Sequence, residues 1–328
     1  MSVNTYLTSI ARLLKSKTLS RSLMDELLGS GSWKESANIL KERGILPEVG
    51  QNLEDTEAIV KRHFTSLGSE LRNFTLSSNI GKRIADLYYY RLTLNDLKYL
   101  VSSVYSKVKV ERRMILSGDQ NLFSAAESSP NSIDELSTLL RGQIYGEALE
   151  YAAKSGARDL SALNSSLDLF FIIRLSSTIN EMRGDWKAKA DQLTCGYRDY
   201  YALSMAATQR VAVSTEIYCK VSPEVAKDLA AASSQQEGIE IVKRTEYGKG
   251  IQTTTLAAAL AFVEHEAKIQ ARKAAKAVFM GDPFTPLSVM AALELISLDQ
   301  EDIIKLFNAQ ALGFPSNKIK ELLSFEFI

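Results

Sequence analysis

Three glycines recur at a constant interval: Gly44, Gly146 and Gly248 stand 102 residues apart, each behind a run with helical apolar spacing. The runs are Ile39-Leu40-Lys41-Glu42-Arg43, Leu139-Leu140-Arg141-Gly142-Gln143-Ile144-Tyr145 and Ile241-Val242-Lys243-Arg244-Thr245-Glu246-Tyr247. Downstream, Asp96, Asp199 and Asp302 recur 103 apart, within the matching stretches Asn95 to Leu100, Arg198 to Leu203 and Glu301 to Leu306. Upstream, Ser20-Arg21-Ser22-Leu23 sits 202 positions before Ser222-Pro223-Glu224-Val225. An interval held along a whole chain is the mark of one supersecondary unit used repeatedly, and it leaves few other architectures open. The spacing divides the chain into three tandem helical modules, 1–107, 108–210 and 211–328.

The fold class read from the pattern is all-α. Prolines at 47, 130, 223, 283, 286 and 315 stand beside turns or helix starts and leave long stretches uninterrupted. Leu160, Leu163, Leu167, Phe170, Phe171, Leu175, Ile179 and Met182 recur mostly at steps of three and four, which puts them on one helix face. Leu256, Leu260, Val263 and Ile269 do the same later, with alanines forming a narrow stripe that another helix can approach closely. Val101 to Val110 continues a helical pattern and has no partner run, so no sheet is expected. Each module therefore reads as a short capped helix, a second helix ending at the glycine, a long amphipathic helix, and a closing helix that carries the aspartate.

Glycine at a helix end adopts the left-handed conformation without steric cost, so a β-branched residue at Gly146 is expected to destabilise the turn. Two roles fit Asp96, Asp199 and Asp302. One is a charge near a helix N-terminus, with Thr93 as the cap of the helix of Asp96. The other is contact with arginines of a partner.

Composition then removes whole classes of function. Lysine plus arginine and aspartate plus glutamate both number 39, so no net field draws the chain to nucleic acid. The two cysteines, Cys195 and Cys219, have no metal or redox spacing, which suits a reducing compartment and gives no disulfide framework. The apolar stretch Leu256 to Val263 is far shorter than the roughly 20 residues needed to cross a bilayer, and Met1 to Tyr6 lacks the pattern of a signal peptide. His63 and His265 lack companion ligands and are expected at the surface. Gly29-Ser30-Gly31-Ser32 and Gly248-Lys249-Gly250 read as turns, without the strand and lysine of a phosphate cradle. No metal, nucleotide or other cofactor is expected. The basic runs Arg12, Lys15, Lys17; Lys107, Lys109, Arg112, Arg113; and Arg272, Lys273, Lys276 read as solvated faces. Of Tyr88-Tyr89-Tyr90, one ring is expected in the core and the others against neighbours.

Tyr145-Gly146-Glu147-Ala148-Leu149, Tyr247-Gly248-Lys249-Gly250-Ile251 and the terminal Glu301 to Leu306 with Gly313-Phe314-Pro315 carry a further signal through their recurrence. Together they resemble the C subunits of archaeal A-type ATP synthases, the counterparts of the d subunits in vacuolar-type proton ATPases. The Gly-Lys that often precedes Gly-Leu-Pro in that family is replaced here by Ala309-Gln310 before Gly313-Phe314-Pro315. The resemblance implies a funnel of three helical modules around a pseudo-threefold axis. It also implies a non-catalytic component, peripheral on the cytoplasmic face of the membrane. Its implied partners are the central-stalk subunits and the proteolipid rotor ring, and its implied role is to couple the two. The rival readings are a helical-repeat adaptor of an unrelated complex, built as an open stack, and an all-helical enzyme, for which no titratable cluster is visible.

Overall fold

A computed structural model describes residues 3–75, 78–156, 159–214, 216–281 and 285–327; Pro283, Met1 and Ser2 lie outside them. Among the described residues there is no strand. Helix α1 (Val3–Lys15) precedes three sets of helices in the same order. The first set is α2 (Arg21–Gly29), α3 (Trp33–Glu42), α4 (Leu53–Phe74) and α5 (Asn79–Tyr105). The second is α6 (Gln120–Glu127), α7 (Ile133–Leu139), α8 (Ile144–Lys154), α9 (Leu160–Asn180) and α10 (Asp185–Gln209). The third is α11 (Pro223–Ala231), α12 (Gln235–Lys243), α13 (Leu256–Val278) and α14 (Leu287–Ala311), with a short 3-10 turn at Glu246–Gly248 where the second set has α8. Helix α15 (Ser316–Lys320) follows.

The second short helix of each set starts by the same device. Ser32, Ser132 and Ser234 accept hydrogen bonds from the backbone N–H of Glu35, Glu135 and Glu237, three residues on. Each glutamate returns a carboxylate oxygen to the backbone N–H just before the serine, at 2.8 Å in all three. Two orphan donors are satisfied at once, and a negative charge sits at the positive end of the helix. Ser20 and Ser222 cap α2 and α11 as the sequence predicts, accepting from Leu23 and Val225.

Contacts gather the chain into two compact units, Met1–Phe171 with Pro283–Phe327, and Ile172–Asp282. In the first, α14 is the central helix and packs against α1, α3, α4 and α5. Thr8 bonds to Ser288, the backbone N–H of Leu19 donates to Asp299, and Gln310 donates to the carbonyl of Leu27. The last long helix is thereby stitched to the first helices of the chain, which no open stack of repeats does. All three of Tyr88, Tyr89 and Tyr90 are buried, rather than the single ring the sequence suggests. Their hydroxyls donate to Glu294, Asp119 and the carbonyl of Leu167, so successive residues of α5 pin three different segments.

In the second unit α10 lies along α13. The alanine stripe does what its residue sizes allow: Ala259, Ala267, Ala271 and Ala275 are buried, and a Cβ added at Gly196 would lie 2.8 Å from the Cα of Ala267. Leu260 and Val263 complete the seam, each contributing about 2 kcal/mol by burial.

The three recurrent glycines divide into two kinds. Gly44 is left-handed (φ +70°) and lets the backbone N–H of Ile45 return to the carbonyl of Leu40, as expected for a helix end. Gly146 and Gly248 do not have positive φ; Gly146 lies inside α8 and Gly248 closes the 3-10 turn. What they require is space. A Cβ on Gly146 would lie 2.5 Å from the carbonyl oxygen of Leu140, and one on Gly248 would meet that of Val242, in both cases six residues back. The left-handed residues nearby are Gly142 and Gly250.

Gly146→Ala and Gly248→Ala should each lower stability by about 2–3 kcal/mol through backbone clash, more than the roughly 1 kcal/mol for Gly44→Ala. Urea midpoints at unchanged slope measure this; Gly44→Ala emerging as the costliest would contradict it.

Candidate functional site

Asp96, Asp199 and Asp302 lie in the interiors of α5, α10 and α14, and all three are buried. They are not at helix N-termini, and Thr93 is not a cap: its hydroxyl donates to the carbonyls of Tyr89 and Tyr90 within the same helix. A buried carboxylate is costly unless its lone pairs are taken. In each case the takers come from the chain segment about twenty residues on. Asp96 accepts from the backbone N–H of Ser117 at 2.8 Å. Asp199 accepts from those of Cys219 and Lys220, both at 2.9 Å. Asp302 accepts from the N–H of Ser324 at 3.1 Å and from its hydroxyl at 2.6 Å. Each of these helices thus clasps the length of chain that follows it.

The tyrosine before two of the recurrent glycines reinforces these joints. Tyr247 donates its hydroxyl to Asp199 at 3.0 Å, and burial beside that carboxylate holds it protonated far above the ordinary tyrosine range. Tyr145 donates to Asp119 at 3.0 Å and meets the hydroxyl of Thr93. Asp119 also accepts from Tyr89 and caps α6 through the N–H groups of Asn121 and Leu122. Burial raises the carboxyls of Asp96 and Asp199 above their ordinary value, while the backbone donors pull the other way. At the second joint Arg198 is also buried and donates to the carbonyls of Ile217, Glu216 and Tyr218 and to Asp191.

The ends of the three aspartate-bearing helices form a second recurrent feature that the sequence did not disclose. Lys107, Arg210 and Gly313, again 103 apart, all have positive φ (54°, 57° and 73°). Each is followed by an exposed apolar side chain: Val108 is 62% exposed, Val211 52% and Phe314 47%. In the first unit Tyr88 bonds to Glu294 while Arg91 reaches on to Glu301, so α5 and α14 advance in the same direction. Val108 and Phe314 therefore stand at the same end of that unit. A left-handed non-glycine residue is strained, so a knob of this kind at Lys107 and Arg210 is held against a cost.

The remaining candidates resolve into structure. His63 is half-buried on α4 with its ring edge-on to Phe64, and burial together with Lys17 lowers its pKa; His265 is half-buried too. Neither belongs to a ligating cluster among the described residues. The group that does meet that geometry is Asp191, Cys195 and Cys219, with ligand atoms within 4.8 Å of one another. Contrary to the expectation of unpaired thiols, Cys195 and Cys219 are joined as a disulfide, with Cα atoms 5.4 Å apart. Arg272, which the sequence places in a solvated run, is buried, whereas Arg112 and Arg113 are exposed and paired with Glu127 and Glu111. No described helix is long and apolar enough to cross a membrane.

A family model described as ATP synthase (C/AC39) subunit matches residues 7–322. No curated protein matches the chain.

Asp199→Ala strands two buried N–H groups and the hydroxyl of Tyr247, and should cost about 3 kcal/mol in urea unfolding. The pH dependence has a definite sign. The folded chain holds these protons more readily than the unfolded one, so stability from Asp96 and Asp199 is gained as pH falls through their raised values and lost as it rises. The penalty of Asp199→Asn should accordingly grow as pH is lowered from neutral toward the ordinary carboxylate range; a penalty that shrinks would contradict this assignment.

Proposed function

Since the chain belongs to the ATP synthase (C/AC39) subunit family, and is thus a component of an A/V-type rotary ATPase, we propose that it is the non-catalytic socket joining the central stalk to the proteolipid ring. Its partners are then the other rotor subunits, and its place is peripheral, on the cytoplasmic face of the membrane. The role is to pass torque, which calls for a body that resists shear rather than a reactive centre. The single observation that most supports this is the triple clasp: three buried carboxylates, each tying a closing helix to the departing chain. The first two of these joints oppose hinge motion between consecutive modules, and the third ties the last stretch of chain to its own module.

The same reading takes 1–107, 108–210 and 211–328 as the modules. Support comes from the left-handed residues Lys107 and Arg210, which fall on both boundaries. The adaptor alternative, an open stack, sits poorly with a last long helix packed among the first. Val108 and Phe314, at the same end of the first unit, are the contacts we assign to a rotor partner, because large apolar side chains left exposed beside one another mark interaction surfaces.

A tagged chain recovered from its native membrane should bring down proteolipid and central-stalk subunits. The double variant Val108→Asp, Phe314→Asp should reduce that recovery about tenfold while leaving the melting temperature in place. Unchanged recovery would remove those side chains from the interface, and reproducible absence of rotary subunits from the wild-type sample would favour the adaptor.

A further inference from the structure

The joint at Asp199 differs from the other two in a way that the repeat makes visible. One turn before the aspartate stand Leu92 in the first module, Cys195 in the second and Leu298 in the third. The residue whose N–H the aspartate takes is Ser117, Cys219 and Ser324 in the same order. A leucine–serine combination has thus become a cysteine–cysteine one at the middle joint alone, and it uses both cysteines of the chain. The Cα separation of 5.4 Å suits a disulfide without backbone movement.

We infer that Cys195 and Cys219 are a redox-responsive lock, closed by low-molecular-weight disulfides and opened by low-molecular-weight thiols, that fixes the segment around 216–220 onto α10. Cys219 is exposed and Cys195 is buried (7%), so the accessible sulfur is that of Cys219. A thiolate attacks Cys219 Sγ, the S–S bond breaks, and Cys195 leaves as a thiolate that takes up a proton. A second thiolate then attacks the sulfur of the first small thiol, the mixed disulfide breaks, and Cys219 leaves as a thiolate that takes up a proton. One protein disulfide and two thiols give one protein dithiol and one small disulfide; closing is the reverse, with the small disulfide as oxidant. The alternative use of the cluster, a metal site, is disfavoured by Asp191, whose two oxygens already accept from Arg198 at 2.6 Å and Lys187 at 2.8 Å. Two sulfurs alone do not complete a tetrahedral set.

Opening leaves the segment held by the bonds to Asp199 and Arg198; closing adds a covalent tie at the same place. That a reducing setting makes opening relevant rests on the cytoplasmic placement proposed above, but the chemistry is testable on the isolated chain, so its outcome is independent of whether rotor subunits co-purify. Purified full-length protein is equilibrated with mixtures of reduced and oxidised glutathione, quenched, and analysed by maleimide mass labelling and by trypsin cleavage after Lys220. The expected result is none or two labels, interconverting reversibly, with cleavage about tenfold faster in the reduced form. Cys219→Ser should show the fast cleavage under every mixture. Two labels under oxidised glutathione, cleavage rates within about twofold of each other, or reduced protein that retains zinc through dialysis and resists oxidation would each overturn the lock.

Discussion

A carboxylate placed in an apolar interior imposes a demand on everything around it, because its lone pairs must be filled by donors that cannot move away. Asp96, Asp199 and Asp302 place that demand at the middle of α5, α10 and α14, and the donors are backbone N–H groups of the chain just beyond each helix. A side-chain donor can swing aside; a backbone N–H brings its whole segment with it. The path of the chain beyond each helix is thereby fixed by a point well inside that helix. Tyr247 adds its hydroxyl to the clasp at Asp199.

The same demand bears on the mechanical role proposed for the chain. A joint of this kind has no cheap open state, since opening it breaks two or three buried hydrogen bonds at once. A component of a rotary ATPase gains from joints with that property. Outside the clasps, Val108, Val211 and Phe314 are recurrent exposed apolar side chains.

Much of this is legible in the sequence as register and little of it as role. The 102- and 103-residue intervals locate Gly44, Gly146, Gly248, Asp96, Asp199 and Asp302 as equivalents, because a repeat preserves position whatever the chemistry. Their roles escape wherever a single-residue rule meets a constraint set by the surrounding fold. Gly146 reads locally as a left-handed stop, but its constraint is the carbonyl of Leu140, which local propensity does not reveal. Asp96 reads as a helix-start charge because Thr93 precedes it, although an unbroken helix runs through both. The Ser-x-x-Glu boxes at 32, 132 and 234 are a signal the sequence does carry, since serine and glutamate stand at fixed spacing before each second short helix. The Cys195–Cys219 pairing is not readable from spacing, since a separation of 24 says nothing about which helix turn faces which loop.

Native-state hydrogen exchange of the amides of Ser117, Cys219, Lys220 and Ser324, with the Cys195–Cys219 bond intact, tests the clasps most directly. If the buried aspartates hold the joints, all four exchange only through global unfolding, with protection that tracks denaturant as the core of α14 does. Exchange through local opening, at protection comparable to the exposed amides of the short helices, would contradict the central role of the aspartates.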